Sequence, residues 1–428
     1  MTTAPQYRSA DPGPALRTGT FLLTFWQLAR VGLQALWMVL IARVLGAAGY
    51  GTFAGYAGLA AALGALTGLG FGLSLLQDVS RDRSRFGTSL FHAGMATIVS
   101  GSMFWLLFTI VANGVLGHAL APATVACIGV AELVAFPATI LSSYAYQAHE
   151  RPGMAGLMYA VVPMGNLVAV ALYFFAGAGH SLEAYAPFHA VTACIAAGIA
   201  WCTMRHQLRP ARADRLLPSR GEVTESAGFS LMRVIDTAMV SLDKSLVLRL
   251  AGAEVAGWYT VAFRLVSVLS IPVSALAMAA LPRLFRTRGT SGDARLVPGL
   301  LAASFVFGVA GVVGMLAGAA LLPLLLGPTF ADAAHAARTL CVAPMLMGLT
   351  VTGANVLVTS DRRTRRMAAQ ICGLAVLYGL AVFLIPRYGI LGAAIMLQGA
   401  LAVTAGLLWL AVFLRPTAPT DHTETESR

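Results

Sequence analysis

Charge is what this 428-residue chain has least of: 11% of its residues are Asp, Glu, Lys or Arg, where soluble domains carry about 25%. Acids are scarcest, 18 against 29 basic residues, and hydrophobic residues make up 58% of the chain. With a mean hydropathy of +0.76, water is not its main solvent. The five cysteines, Cys127, Cys194, Cys202, Cys341 and Cys372, lie in apolar runs without metal-ligand spacing, and are expected to be buried, inert thiols. The sequence has no GxxxxGK[ST] and no HExxH, so no cofactor is expected and ATP is not the expected motor. The opening segment MTTAPQYRSADPGPALR lacks a convincing cleavage site before an apolar run too long for a secretory h-region, and that run reads as an uncleaved first span. The net charge of +11 does not point to nucleic acid, because no soluble domain exists to carry a basic patch.

What is present is a succession of apolar stretches long enough to cross a hydrocarbon core of about 30 Å. Dividing them at charged or turn-rich breaks predicts about twelve transmembrane helices, near 21–45, 52–76, 88–112, 119–145, 154–176, 185–204, 227–250, 255–281, 298–326, 339–359, 367–385 and 390–414. The fold class is therefore an all-α integral membrane protein. Its expected parts are an N-terminal segment 1–20, a six-helix bundle 21–204, a linker 205–226, a second six-helix bundle 227–414 and a disordered tail 415–428. Arginines fall in alternate breaks, 21 on one side against 2, Arg338 and Arg387, on the other. By the positive-inside rule both termini are cytoplasmic, and the expected place is a bacterial inner membrane.

An internal repeat sets ARVLGAAGYGTF against LRLAGAEVAGWY at an offset of 206 residues, aligning Arg43 with Arg249, Gly46 with Gly252, Ala47 with Ala253, Gly51 with Gly257 and Phe53 with Tyr259. Six spans per repeat is an even number, so the halves share one orientation about an axis along the membrane normal, with the substrate site between them.

Four charges fall near mid-span: Arg30, Glu132, Asp236 and Arg264. Facing lipid they would together cost about 10 to 14 kcal/mol, so they are expected to face one another or a wet cavity. Helical spacing puts Gln27, Arg30 and Gln34 on one face of the first span, and Arg233, Asp236, Asp243 and Lys244 on one face of the seventh. Two readings of these stripes stand side by side: a substrate pathway, or a structural network pairing, for example, Arg30 with Asp236. Glu132 reads as a partner for one of the cations or as a proton-coupling site. Arg43 and Arg249 read as snorkelling anchors. Counting these, six basic groups in the membrane face three acids, and a cationic chamber suits phosphate oxygens while repelling an amine. Prolines 137, 163, 272 and 344 interrupt spans and permit bending.

The stretches ARVLGAAGYGTFAGYAGLAAALGALTGLGFGLSLLQDVSR, DKSLVLRLAGAEVAGWYTVAFRLVSVLSIPVSALAMAALPRLFR and LPLLLGPTFADAAHAARTL with IPRYGILGAAI occur in an order that resembles the polysaccharide flippases of the multidrug/oligosaccharidyl-lipid/polysaccharide (MOP) superfamily. The resemblance implies two six-helix bundles around a central cavity that opens alternately to each side. Its cargo would be an oligosaccharide on undecaprenyl diphosphate, such as an O-antigen or exopolysaccharide precursor, carried by a transporter and not an enzyme. Arg30, Arg233, Lys244 and Arg264 are the matching cavity cations by helix and depth. Asp236, Asp243 or Glu132 would bind a coupling H⁺ or Na⁺ or serve as ion-pair partners, and polysaccharide polymerase or ligase machinery would be a neighbour. Lipid II flippases of the superfamily have fourteen spans, which sets this chain apart from that branch. A drug antiporter of the same superfamily would need an anionic or aromatic chamber. A membrane-embedded polymerase would need a large outward loop, and the outward connections here are short.

Overall fold

The computed structural model describes residues 14–177, 179–213, 217–286, 293–360 and 362–414. The start of the N-terminal segment, the tail 415–428, Arg215 and Arg288 lie outside the described residues. Every regular element among the described residues is helical: α1 Pro14–Gly64, α2 Phe71–Arg81, α3 Phe86–Leu116, α4 Pro122–Val130, α5 Phe136–Ala148, α6 Pro152–Phe175, α7 Leu182–Leu208, α8 Arg220–Ala251, α9 Ala253–Leu269, α10 Ile271–Arg286, α11 Asp293–Leu326, α12 Ala331–Thr339, α13 Ala343–Thr359 and α14 Arg363–Phe413. By length and apolarity eight of these stretches can cross a membrane, nine if the pair bent by 53° at the start of α13 is one span.

Two of the long helices are each two segments. α1 turns at Gly46, whose φ of 69° with ψ of −179° is open to glycine and closed to residues with a Cβ. α14 turns at Gly389 with φ 53°. Counting these, together with α8, whose Arg233, Asp236, Asp243, Lys244 and Arg249 keep it out of the apolar set, gives twelve crossing segments. The expected second span, 52–76, is interrupted: α1 ends at Gly64, a tight turn follows through Gly68 and Gly70 at positive φ, and α2 continues to Arg81. Of the expected linker 205–226, the first residues complete α7 and the last begin α8, which is capped by Ser219 and Glu222 in a reciprocal capping box.

The prolines act as expected of helix breakers with local compensation. A five-residue π-helical turn, Ala131–Ala135, joins α4 to α5 directly before Pro137. Proline cannot donate to the carbonyl four residues back, and Leu133 O instead accepts from Thr67 Oγ1 at 3.4 Å. Pro272 follows the break at Ser270 between α9 and α10, and Pro344 follows the bend ahead of α13.

The faces turned away from the bundle are apolar, with Ile98, Ile110, Phe175, Val306 and Leu324 each more than 60% exposed, as expected of a protein solvated by acyl chains. Cys194, Cys202 and Cys372 are on this exposed surface, and only Cys127 and Cys341 are half-buried. The expectation of five buried thiols is thus corrected: an apolar span in lipid has no aqueous face, so hydropathy gives no signal for which side points inward.

Candidate functional site

The two halves meet across a pseudo-two-fold axis, and the aligned residues of the repeat make the contact. Gly51 lies against the backbone of Ala253 and Gly257, while Gly257 lies against Ala47, the residue aligned with Ala253. This is the reciprocal pattern of a two-fold interface, in which residue i meets j and j meets i. Gly252 has φ 88° and ψ 177°, matching Gly46, so the two turns share one backbone conformation. The arginines follow the same rule. Arg43 leaves the first half and donates through Nε to Leu325 O at 2.5 Å and through Nη2 to Leu324 O at 3.4 Å, at the end of α11 in the second half. Arg249 leaves the second half and lies against Gly117, at the end of α3 in the first. Both side chains are exposed, as anchors should be, but each also crosses to a helix end of the opposite half, where Arg43 meets the negative end of the helix dipole.

Below this contact, toward the arginine-rich face, α1, α2 and α8 run side by side. Ser245 Oγ donates to Gly55 O at 2.8 Å, Gly58 lies against Ser241, Ser74 and Ser226 share a hydrogen bond at 2.7 Å, and Gln77 Nε2 donates to Glu225 Oε1 at 2.7 Å. Glycine and serine allow this approach.

The seventh-span charges do not form one cluster. Asp243 is fully buried and accepts from Lys244 Nζ at 2.8 Å and from Tyr259 OH at 2.8 Å. Lys244 also donates to Val240 O and sits 3.7 Å above the Phe263 ring. Lys244 is therefore a neutralised cation. Asp236 points the other way: its carboxylate accepts from Arg366 Nη2 at 3.0 Å and from Gln370 Nε2 at 2.6 Å, both on α14. These three residues border a cavity of about 250 Å³ within the second half, with Phe263, Thr350 and Asn355. The expected Arg30–Asp236 pair is thereby corrected, because Arg366, counted in the sequence among arginines outside the bilayer, reaches the acid from the first turn of α14. Arg233 faces the first half, its Nη1 3.5 Å from Tyr144 OH, beside a small pocket of about 30 Å³ with Thr67, Gly68 and Phe229.

Glu132, on the π-helical turn, lies 3.6 Å from His189 Nε2 of α7. His189 is 2% exposed, stacked on Tyr185 and edge-on to Phe53, and both its ring nitrogens lack a hydrogen-bond partner among the described residues. Its signal in the sequence was an ionisable side chain inside an apolar run, near the start of the span 185–204.

Arg30 and Arg264 differ from all of these. Arg30 belongs to α1 in the first half and Arg264 to α9 in the second, both half-buried, and each is close enough to act electrostatically on the other, with Tyr50 beside Arg264. Neither has an ion-pair partner among the described residues, and the Nε of each is buried without a hydrogen bond. Gln27 and Gln34 are half-buried in the same stretch of α1. Two guanidinium groups within electrostatic reach of each other, with no acid paired to either among the described residues, suit an anion with several oxygens.

An architecture of two six-span halves is shared with solved transporters of the MOP superfamily. An inward-facing multidrug-resistance MATE transporter matches with a TM-score of 0.66 at 16% identity, over 91% of this chain and 93% of that one. The lipid II flippase MurJ in an inward closed conformation matches at 0.68 and 10% identity, over 92% and 88%. A Pyrococcus furiosus MOP superfamily transporter, described as having a binding pocket of reverse polarity, matches at 0.56 and 16%, over 93% of each chain. A comparison with curated protein sequences finds no match. The family profile described as "Polysaccharide biosynthesis protein" matches residues 16–288, more than half of the sequence, and the chain belongs to that family. It is a multi-pass membrane protein of polysaccharide biosynthesis, built on a transporter fold.

Proposed function

We propose that this protein is a flippase that carries an undecaprenyl-diphosphate-linked oligosaccharide from the cytoplasmic to the outer leaflet of the bacterial inner membrane. The observation that carries this reading is the pair Arg30 and Arg264, one cation from each half and neither matched by an acid. A diphosphate between them supplies the missing counter-charge and ties the halves together. Rigid-body rocking about the Gly51–Gly257 contact then exposes the glycan on the other side, while the polyprenyl chain stays in the bilayer. Family membership supports a polysaccharide precursor as cargo. The arginine-rich face is taken as cytoplasmic, with both termini on it. A multidrug antiporter fits less well, because an amine would meet two unmatched cations.

The coupling site in this proposal is Glu132 with His189. A carboxylate and an imidazole 3.6 Å apart, enclosed by aromatic rings, can share one proton whose gain or loss changes the charge of the first half. Asp236 is less suited to a free cation, since Arg366 already occupies its carboxylate.

The test uses cells lacking the chromosomal copy of this gene, complemented with wild type, Arg30→Ala or Arg264→Ala. Lipid-linked oligosaccharide should stay on the cytoplasmic face in both variants while folded protein remains in the membrane. Full export by both would end the site assignment. Unchanged export after collapse of the proton gradient would end the coupling assignment alone.

A further inference from the structure

On the outside of the first half, away from Arg30 and Arg264, a groove of about 590 Å³ runs between the start of α3 and the end of α7. Its wall is apolar: Leu90, Phe91, Met95 and Ile98 of α3, with Trp201 of α7. Phe91, Met95 and Ile98 are 38%, 40% and 62% exposed. The groove is shaped by two glycines. A Cβ at Gly94 would meet the Trp201 ring, and one at Gly87 would meet the backbone of Ala211 and Arg212 in the connection between the halves.

Polarity is confined to one end. Arg205, one helical turn beyond Trp201, and Arg212 line the mouth at the arginine-rich face. Both are exposed and neither has an ion-pair partner among the described residues. The length of the groove is also informative. From Gly87 to Ile98 is eleven residues, about 16 Å of helix at 1.5 Å per residue, against about 15 Å for one leaflet of a 30 Å hydrocarbon core. An acyl chain anchored at the headgroup level therefore ends where the apolar wall ends.

We propose that this groove is a binding site for an anionic phospholipid of the leaflet on the arginine-rich side, its phosphate held by Arg205 and Arg212 and one acyl chain lying along Phe91, Met95 and Ile98 against Trp201. Any lipid-facing groove is wetted by acyl chains, and what assigns this one is the pair of unmatched cations at one end only. The headgroup would rest beside Ala211 and Arg212, whose backbone lies against Gly87 at the start of α3.

The test is native mass spectrometry of the full chain in detergent with phosphatidylglycerol or phosphatidylcholine of identical chains. Wild type should retain phosphatidylglycerol about thirtyfold better, as expected for two interfacial arginines at about 1 kcal/mol each. Arg205→Ala with Arg212→Ala should bring the two lipids to parity, Arg205→Lys with Arg212→Lys should keep the preference, and Trp201→Ala should weaken both lipids equally. Parity in wild type, or a preference unchanged in the double alanine variant, overturns the site. Displacement of phosphatidylglycerol by an equal concentration of polyprenyl phosphate overturns the phospholipid as its occupant. No outcome depends on the transported cargo, so this site and the flippase assignment stand or fall separately.

Discussion

Arg30 and Asp236 occupy equivalent positions in the two halves, 206 residues apart in the alignment that superposes Gly51 on Gly257. Their surroundings have diverged. Asp236 is held by Arg366 and Gln370 of α14, and seven residues on, Asp243 is held by Lys244 and Tyr259. Asp236 and Asp243 are thus matched within the second half. Arg30 of the first half and Arg264 of the second have no ion-pair partner among the described residues, and they lie within electrostatic reach of each other. A buried charge whose partner lies in the same half is part of the architecture, and a cation with no ion-pair partner among the described residues is the kind of charge a ligand could match.

Stability measurements can break that division. Asp243→Ala leaves Lys244 enclosed without its counter-ion, and should cost the most, about 3 to 5 kcal/mol, read as a fall in melting temperature in detergent. Arg264→Ala should move stability the other way or not at all, by up to about 3 kcal/mol, because it removes an uncompensated cation from the membrane interior. A melting temperature that falls as far as that of Asp243→Ala would place Arg264 with the structural charges. Asp236→Ala comes next, at about 1 kcal/mol, since its carboxylate is 44% exposed and solvent screens the pair. Arg43→Ala and Arg249→Ala should be the smallest, about 0.3 to 1 kcal/mol each for a charge at a helix terminus. The two should be alike if the crossings are truly equivalent, so a tenfold difference in the unfolding equilibrium between them would mark one as decorative.

Much of this was legible in the sequence because lipid imposes simple rules. Twelve crossings, the six-plus-six division and the repeat followed from apolar length and small-residue spacing, and the aligned pairs Gly46 with Gly252 and Gly51 with Gly257 turned out to share backbone conformation or to touch. Arg30 and Arg264 were legible as costly mid-span charges. Pairing was not, because a partner is fixed by helix rotation and tilt that hydropathy does not encode. Arg366 sat in the run RRTRR and looked like a topology signal, yet it reaches into the second half to meet Asp236. Lys244 looked like a cavity cation, but its neighbour in the chain neutralises it. His189 is one polar residue in an apolar run, and only the packing of α7 shows that it meets Glu132. The break in the second span was hidden for a related reason: Gly68 and Gly70 are as apolar as the helix around them, and only their backbone angles reveal the turn.

The Gly51–Gly257 contact has a historical reading as well as a mechanical one. It is the handshake that two separate copies of a single six-span ancestor would make as a homodimer, and in such a dimer every substitution appears twice. A base at the position of Arg30 would then recur in both copies, and no copy could hold an acid there while its twin kept the base. Two copies joined in one chain are free of that constraint, so that Asp236 can be matched by Arg366 while Arg30, at the equivalent position, has no ion-pair partner among the described residues.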